Sequence, residues 1–164
     1  MSFTLRPATI QDVPQILAIV NHTIATSTAN YNYEPLTLAE QTAWFESKQQ
    51  YNFPVWVAVV EDLAVAFGTY GTFREKMGYR YTVEHTIYVQ ENQQRKGIGK
   101  ALLIQLVTQA KADGYHAMIG GIDAKNKESI AFNQKMGFEV VGHLKEVGYK
   151  FDQWLDLCFV QRLL

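Results

Sequence analysis

The stretch YTVEHTIYVQENQQRKGIGKALLI, Tyr81 to Ile104, decides how the rest of the chain is read. Its first part alternates: Val83, Ile87 and Val89 fall on one face, and Thr82, Glu84, Thr86 and Tyr88 on the other. That period predicts a half-buried strand over Thr82–Val89. The polar run Gln90–Gln94 ends it. Arg95, Lys96, Gly97, Ile98 and Gly99 lead into a helix predicted over Lys100–Lys111, with Leu102, Leu103, Leu106, Val107 and Ala110 on its apolar stripe.

The chemistry lies in the junction. A helix begins with unpaired N–H groups and the positive end of its dipole. Gly97 and Gly99 remove side chains that would hold an anion off that backbone, and Arg95, Lys96 and Lys100 add positive charge. Such a junction suits a phosphate or pyrophosphate. It is not a P-loop, because Gly99-Lys100 is followed by Ala101, and it is not a dinucleotide fingerprint, because Leu102 stands where a third glycine belongs. What fits is Q/R-x-x-G-x-G/A, written here Gln94-Arg95-Lys96-Gly97-Ile98-Gly99.

The surroundings narrow the class. The chain has 164 residues, enough for one domain with a real core. It is 48% apolar and 19% charged, a globular balance, and a net charge of −1 gives no footing for nucleic acid or an acidic membrane. No apolar run approaches the roughly 20 residues that span a bilayer, and MSFTLRPAT lacks a signal peptide's apolar segment. The only cysteine, Cys158, stands among Leu157 and Phe159 and reads as a small buried hydrophobe. The four histidines are scattered with no metal-binding pair at helical spacing, so no metal is expected. A cytoplasmic protein is expected.

Outward from the central stretch, Phe3–Arg6 reads as a first strand. A helix follows with Val13, Ile16, Leu17, Val20 and Ile24 on one face, opened by an acidic capping pattern at Thr9 and Asp12. Tyr31 and Tyr33, in the polar loop Thr26–Pro35, either lie on the surface or wall a pocket. Thr37-Leu-Ala-Glu40 is a capping box opening a second helix that carries Trp44 and Phe45 inward. Val55–Val60 and Ala64–Thr72 read as a hairpin turning at Glu61-Asp62. The basic link FREKMGYR, with Arg74, Lys76 and Arg80, is either a solvated turn or a carboxylate clamp. Beyond the central helix we expect a strand at His116–Gly121, a loop at Ile122–Ser129 holding Asn126, and a short helix at Ile130–Met136 stopped by Gly137. A strand begins at Glu139–Val141, and Gly148-Tyr149 opens the last one. By alternation His85 points away from Glu84, as a hydrogen-bonded histidine under the sheet unless a bulge turns it.

The element order, with Gln94–Gly99, resembles the GNAT superfamily of N-acetyltransferases. Thr82-Val83-Glu84, Tyr88-Val89, Asn126 with Ser129, Met136-Gly137-Phe138, Val147-Gly148-Tyr149-Lys150-Phe151 and Trp154 are similar to its phosphinothricin and methionine sulfoximine branch. Ile19–His22 and Thr26–Asn30 are similar too. The resemblance implies an α/β (α+β) fold, a mixed sheet of about seven strands flanked by helices, as a single domain over 1–164. It implies acetyl transfer from acetyl-CoA to the amino group of a small amino-acid analogue, and a homodimer. Arg95, Lys96, Gly97, Ile98, Gly99 and Lys100 would hold the pyrophosphate. The backbone of Ile87, Tyr88 and Val89 would pair with the pantetheine arm, and Asn126 would touch the cofactor. Glu84 would be the general base, and Arg74, Glu75, Lys76, Glu84, His85 and Thr86 would form the acceptor pocket.

One position departs. The superfamily often has a tyrosine, and this branch commonly a histidine, four residues after the serine of the late helix. Here Ser129 is followed by Asn133, and an amide does not usefully give up a proton at neutral pH. Either the leaving thiolate needs no acid, since a thiol pKa lies near about 8.5, or Tyr88 or Tyr149 serves. A CoA-binding domain without turnover and a peptide N-acetyltransferase are the alternative readings.

Overall fold

The computed structural model describes residues 2–164; Met1 lies outside them. The central stretch forms strand β4 at Thr82–Val89 and helix α3 at Ile98–Ala112. Around them stand β1 (Thr4–Pro7), α1 (Val13–Thr26), α2 (Leu38–Gln50), β2 (Val55–Val60), β3 (Leu63–Thr72), β5 (Ala117–Asp123), α4 (Lys127–Lys135), β6 (Glu139–Lys150) and β7 (Gln153–Leu163). The seven strands make one sheet in the order β1-β2-β3-β4-β5-β7-β6. Only β4 and β5 run parallel, and their register covers just Thr82–Glu84 opposite Ala117–Ile119. Beyond Glu84 the two strands part.

Alternation assigns the faces. Ala66, Gly68 and Tyr70 of β3 lie opposite Val89, Ile87 and His85 of β4, and this side packs on α3. Gly68 allows a close approach there: a Cβ would stand 3.2 Å from Leu106 Cδ1, tighter than most packed side chains. Phe67 of β3 and Tyr88 of β4 face the other way, edge to face at 5.6 Å, under α1 and α2. The buried face of α1 is Val13, Ile16, Ile19, Val20 and Ile24, so Ile19 takes the place given to Leu17.

The predicted caps are made. Asp12 accepts from Thr9 N at 2.7 Å and forms a bidentate pair with Arg6 at 2.7 and 2.8 Å, which holds its carboxyl below the usual range. At α2, Thr37 Oγ1 accepts from Glu40 N, and the Glu40 carboxylate accepts from Thr37 N. The β2–β3 turn places Glu61 and Asp62 at positive φ, as a two-residue hairpin turn requires.

Three expectations are corrected. The loop drawn at Ile122–Ser129 is shorter: Ile122 and Asp123 belong to β5, and α4 starts at Lys127 rather than Ile130. The start was marked by Asn126, whose Oδ1 accepts from Ser129 N at 3.0 Å, the N-cap bond. The last strand opens at Gln153, not at Gly148-Tyr149, which are the end of β6. The turn between β6 and β7 is Phe151-Asp152, both at positive φ without a glycine to announce it. Gly148 is a glycine for another reason: a Cβ there would sit 2.5 Å from Tyr31 Cε2.

Candidate active site

A cleft of about 940 Å³ opens where β4 and β5 separate. It passes through the sheet and takes its lining from both faces. On the α3 side are Gln94, Arg95, Gly97, Gly99, Lys100, Asn126, Phe132 and Asn133. On the α1 side are Thr28, Ala29, Tyr31, Phe73, Arg74 and Glu84. Ile87, Tyr88 and Val89 run along its edge, with no β5 pairing opposite them.

The glycine loop meets the demand of an anion. Gly97 is the N-cap of α3 at φ +83° and brings no side chain to cap the first-turn N–H groups. Gly99 has an ordinary φ, and a Cβ there would make only van der Waals contacts, 3.8 Å to Val89 and 3.9 Å to Phe132. Neither backbone nor packing requires Gly99. The space it leaves belongs to the cleft, which is the fit expected of a CoA pyrophosphate lying on the helix N-terminus. The basic residues divide. Lys100 lines the cleft, and Arg95 lines it while pairing with Glu128 at 3.0 Å. Lys96 turns back onto Asn92 O and Gln93 Oε1, and the Ile98 side chain is buried in the core, leaving it only a backbone N–H to offer.

The acceptor residues divide as well. Arg74, Glu84, His85 and Thr86 line the cleft. Glu75, Lys76 and Arg80 instead surround a separate cavity of about 210 Å³, to which Arg74 also reaches. The Arg74 guanidinium lies 5.2 Å from the Phe73 ring and 5.7 Å from that of Tyr79, which aims it. Burial raises the pKa of Glu84 above the ordinary carboxylate value.

His85 does point to the face opposite Glu84, and it still lines the cleft, because the strands have parted there. Its Nε2 is 3.2 Å from Asn133 Oδ1, while Asn133 Nδ2 donates to Ser129 O at 3.0 Å. With the amide nitrogen spent on a carbonyl, the amide oxygen must accept, so His85 carries its hydrogen on Nε2. Nδ1 is then a bare lone pair, buried and without a partner. Burial pushes the imidazole down to about 4, so it is neutral at pH 7.

Two glycines make room for this pair. A Cβ on Gly120 would stand 2.7 Å from His85 Nε2, and one on Gly121 would stand 3.1 Å from Glu84 Oε1. Sequence reasoning passed over them, although adjacent glycines inside a strand signal a close approach. It also missed Thr28, whose hydroxyl donates to the Asp123 carboxylate across the cleft mouth. Of the two aromatic residues left open, Tyr31 lines the cleft and Tyr33 is exposed. Of the substitute acids, Tyr149 lies outside the lining, and the Tyr88 hydroxyl donates to Ala29 O at 3.2 Å.

The model of the acetyltransferase (GNAT) family matches residues 18–138. The chain is 40% identical to the L-methionine sulfoximine/L-methionine sulfone acetyltransferase of Pseudomonas aeruginosa, over 98% of this chain and 94% of that protein. An N-acetyltransferase crystal structure from Staphylococcus aureus Mu50 superposes with a TM-score of 0.98 at 44% identity, covering 99% of each chain. A phosphinothricin acetyltransferase from Sinorhizobium meliloti, solved in complex with acetyl-CoA, gives 0.96 at 35% identity, covering 100% of this chain and 89% of that one.

Proposed function

The chain belongs to the GNAT acetyltransferase family and is an acetyl-CoA-dependent acetyltransferase, and from that premise we propose that it acetylates the α-amino group of a small amino-acid analogue of the phosphinothricin, methionine sulfoximine or methionine sulfone type. One observation carries the reading. The cleft through the sheet sets a glycine-lined helix N-terminus on one face against Arg74 and Glu84 on the other. The relatives' named substrates support the acceptor class. Residues 1–164 act as one domain, all seven strands sharing one sheet.

Acetyl-CoA supplies the acetyl group as a thioester. The first-turn N–H groups of α3, with Arg95 and Lys100, hold its pyrophosphate. Asn126 and the open edge of β4 at Ile87, Tyr88 and Val89 hold the rest. Arg74 anchors the acceptor carboxylate through its planar fork. Glu84, its pKa raised by burial, takes the proton that the amine must lose before attack. The amine nitrogen bonds to the carbonyl carbon, the C–S bond breaks as the resulting oxyanion collapses, and CoA leaves as a thiolate that takes its proton from solvent. A backbone N–H near Val89 steadies the charge that develops on the carbonyl oxygen. Transfer is direct, because the only cysteine is buried with its pKa raised by burial.

The active species is a homodimer in the cytoplasm. Val140, Val141, Leu144 and Val147, all exposed on edge strand β6, support a pairing of like surfaces, which sedimentation will test. The activity is tested by thiol release from acetyl-CoA with amino acids, methionine sulfoximine, phosphinothricin, polyamines and short peptides. Turnover confined to α-amino acids with a tetrahedral sulfur or phosphorus is the expected result. Turnover on peptides alone refutes the acceptor class, and no turnover refutes the reading.

A further inference from the structure

The end of β6 does not line the cleft, but it packs on a segment that does. Three successive residues, Gly148, Tyr149 and Lys150, all engage the segment that leaves α1. Lys150 is 4% exposed, and its ammonium donates to Ile24 O at 2.7 Å, Ser27 O at 2.9 Å and Asn30 O at 2.5 Å. An ammonium has three N–H donors, and all three are used. Two of the acceptors lie at the C-terminal end of α1, where helix carbonyls lack partners and the dipole is negative. The Tyr149 carbonyl accepts from the Tyr33 hydroxyl. The missing side chain of Gly148 is filled by the Tyr31 ring, whose Cε2 and Cζ would lie 2.5 and 2.8 Å from a Cβ.

The inner side of the same segment spans the parted strands. Thr28 bonds Asp123 at the end of β5, and Ala29 O accepts from Tyr88 of β4. Thr28, Ala29 and Tyr31 are part of the cleft wall, on the side of Arg74 and Glu84. A buried ammonium is costly to desolvate, and packing alone would be served by a methionine. Here the charge is matched to the carbonyls of one short segment, and that segment crosses the mouth of the site.

We propose that Gly148, Tyr149 and Lys150 form a clasp that holds segment 27–33 across the cleft, making Lys150 a positioning residue for the acceptor. The acceptor half of this statement rests on the function proposed above, while the clasp itself does not. The test uses Lys150→Met, and Gly148→Ala as a second variant that leaves the ammonium cage intact.

Hydrogen exchange is read at the amides of Ser27, Ala29 and Asn32, which are bonded within or beside the segment. The expected result is exchange about tenfold faster there, with the amides of α3 unchanged. Kinetics should show the acceptor KM rising about tenfold and the acetyl-CoA KM holding within about twofold. Unchanged exchange at 27–33 in the folded variants overturns the clasp. Loosened exchange with both KM values rising together, or neither, overturns the positioning role. If the wild-type protein acetylates no amino-acid analogue, the function proposed above fails, and exchange alone decides the clasp.

Discussion

The coupling between His85 and Asn133 gives a prediction whose size can be worked from the contacts. Replacing Asn133 by leucine removes the acceptor of His85 Nε2–H, at 3.2 Å. The Ser129 carbonyl loses little, since it stands four residues earlier in α4 and keeps its helical N–H partner. The imidazole loses more. Its Nδ1 has no partner already, so both nitrogens become orphans in the protein. A buried donor stripped of its acceptor costs about 1–3 kcal/mol. Asn133→Leu should therefore destabilise by about 2 kcal/mol, a fall in Tm of about 4–8 °C for a chain of this length. His85→Leu with Asn133→Leu removes both partners together and should recover much of that loss. Urea unfolding of the four proteins measures the coupling, expected at about 1 kcal/mol or more; a value inside about 0.5 kcal/mol, the range of independent sites, refutes the pairing. The pH dependence adds a second check. His85 is held near about 4, below the ordinary histidine value, so the fold prefers it neutral. Its contribution is complete above pH 6.5 and is lost as pH falls from 6.5 towards 4, roughly 3 kcal/mol in all. His85→Leu should flatten that part of the acid limb.

Glu84→Gln should lower kcat by about 100-fold or more, with acetyl-CoA affinity nearly unchanged; near wild-type kcat at every pH removes Glu84 from the base role. Because burial raises the Glu84 pKa, wild-type kcat/KM should decline on the acid side from a pH above the ordinary carboxylate range. Arg74→Ala should raise KM for carboxylate acceptors, and equal loss on a decarboxylated analogue argues against a clamp. Lys48, away from the cleft, donates to Tyr70 O at 2.9 Å, and burial lowers its pKa to about 8. Between pH 8 and 10.5 the unfolded chain holds a proton that the folded one has lost, so wild-type stability should rise over that window relative to Lys48→Met; a difference between the two proteins that is constant with pH contradicts this account.

Legibility followed the range of the signal. Strand β4 was readable to the residue because its alternation is local, and the hairpin and both N-terminal caps because their donors and acceptors lie within a few residues. The C-terminal hairpin was not readable. Its turn, Phe151-Asp152, carries only an aspartate and no glycine or proline, while the glycine nearby serves Tyr31, more than a hundred positions earlier. A glycine placed by a distant side chain looks, in one dimension, like a glycine placed by its own backbone. Charge alone likewise left FREKMGYR open between a solvated turn and a clamp, and the fold sends Arg74 to the cleft but Lys76 and Arg80 to a neighbouring cavity.

The deeper difficulty was a premise about sheets. Alternation placed Glu84 and His85 on opposite faces, and in an unbroken sheet that would exclude one of them from any common site. Parallel pairing between β4 and β5 stops at Glu84, and nothing within β4 records where a strand from beyond α3 will stop pairing. Once the strands part, opposite faces become opposite walls of one passage. The glycine loop then lines the passage from the α3 side and Arg74 from the other, with the open edge of β4 between them. Gly120 and Gly121 are the trace this leaves in the sequence. Successive residues of β5, facing opposite ways, each give up a side chain to the group across from it: the imidazole on one face, the carboxylate on the other. Two glycines together in an otherwise apolar strand are costly for a sheet, and in this fold their use is to admit two chemical groups from the two faces of the neighbouring strand.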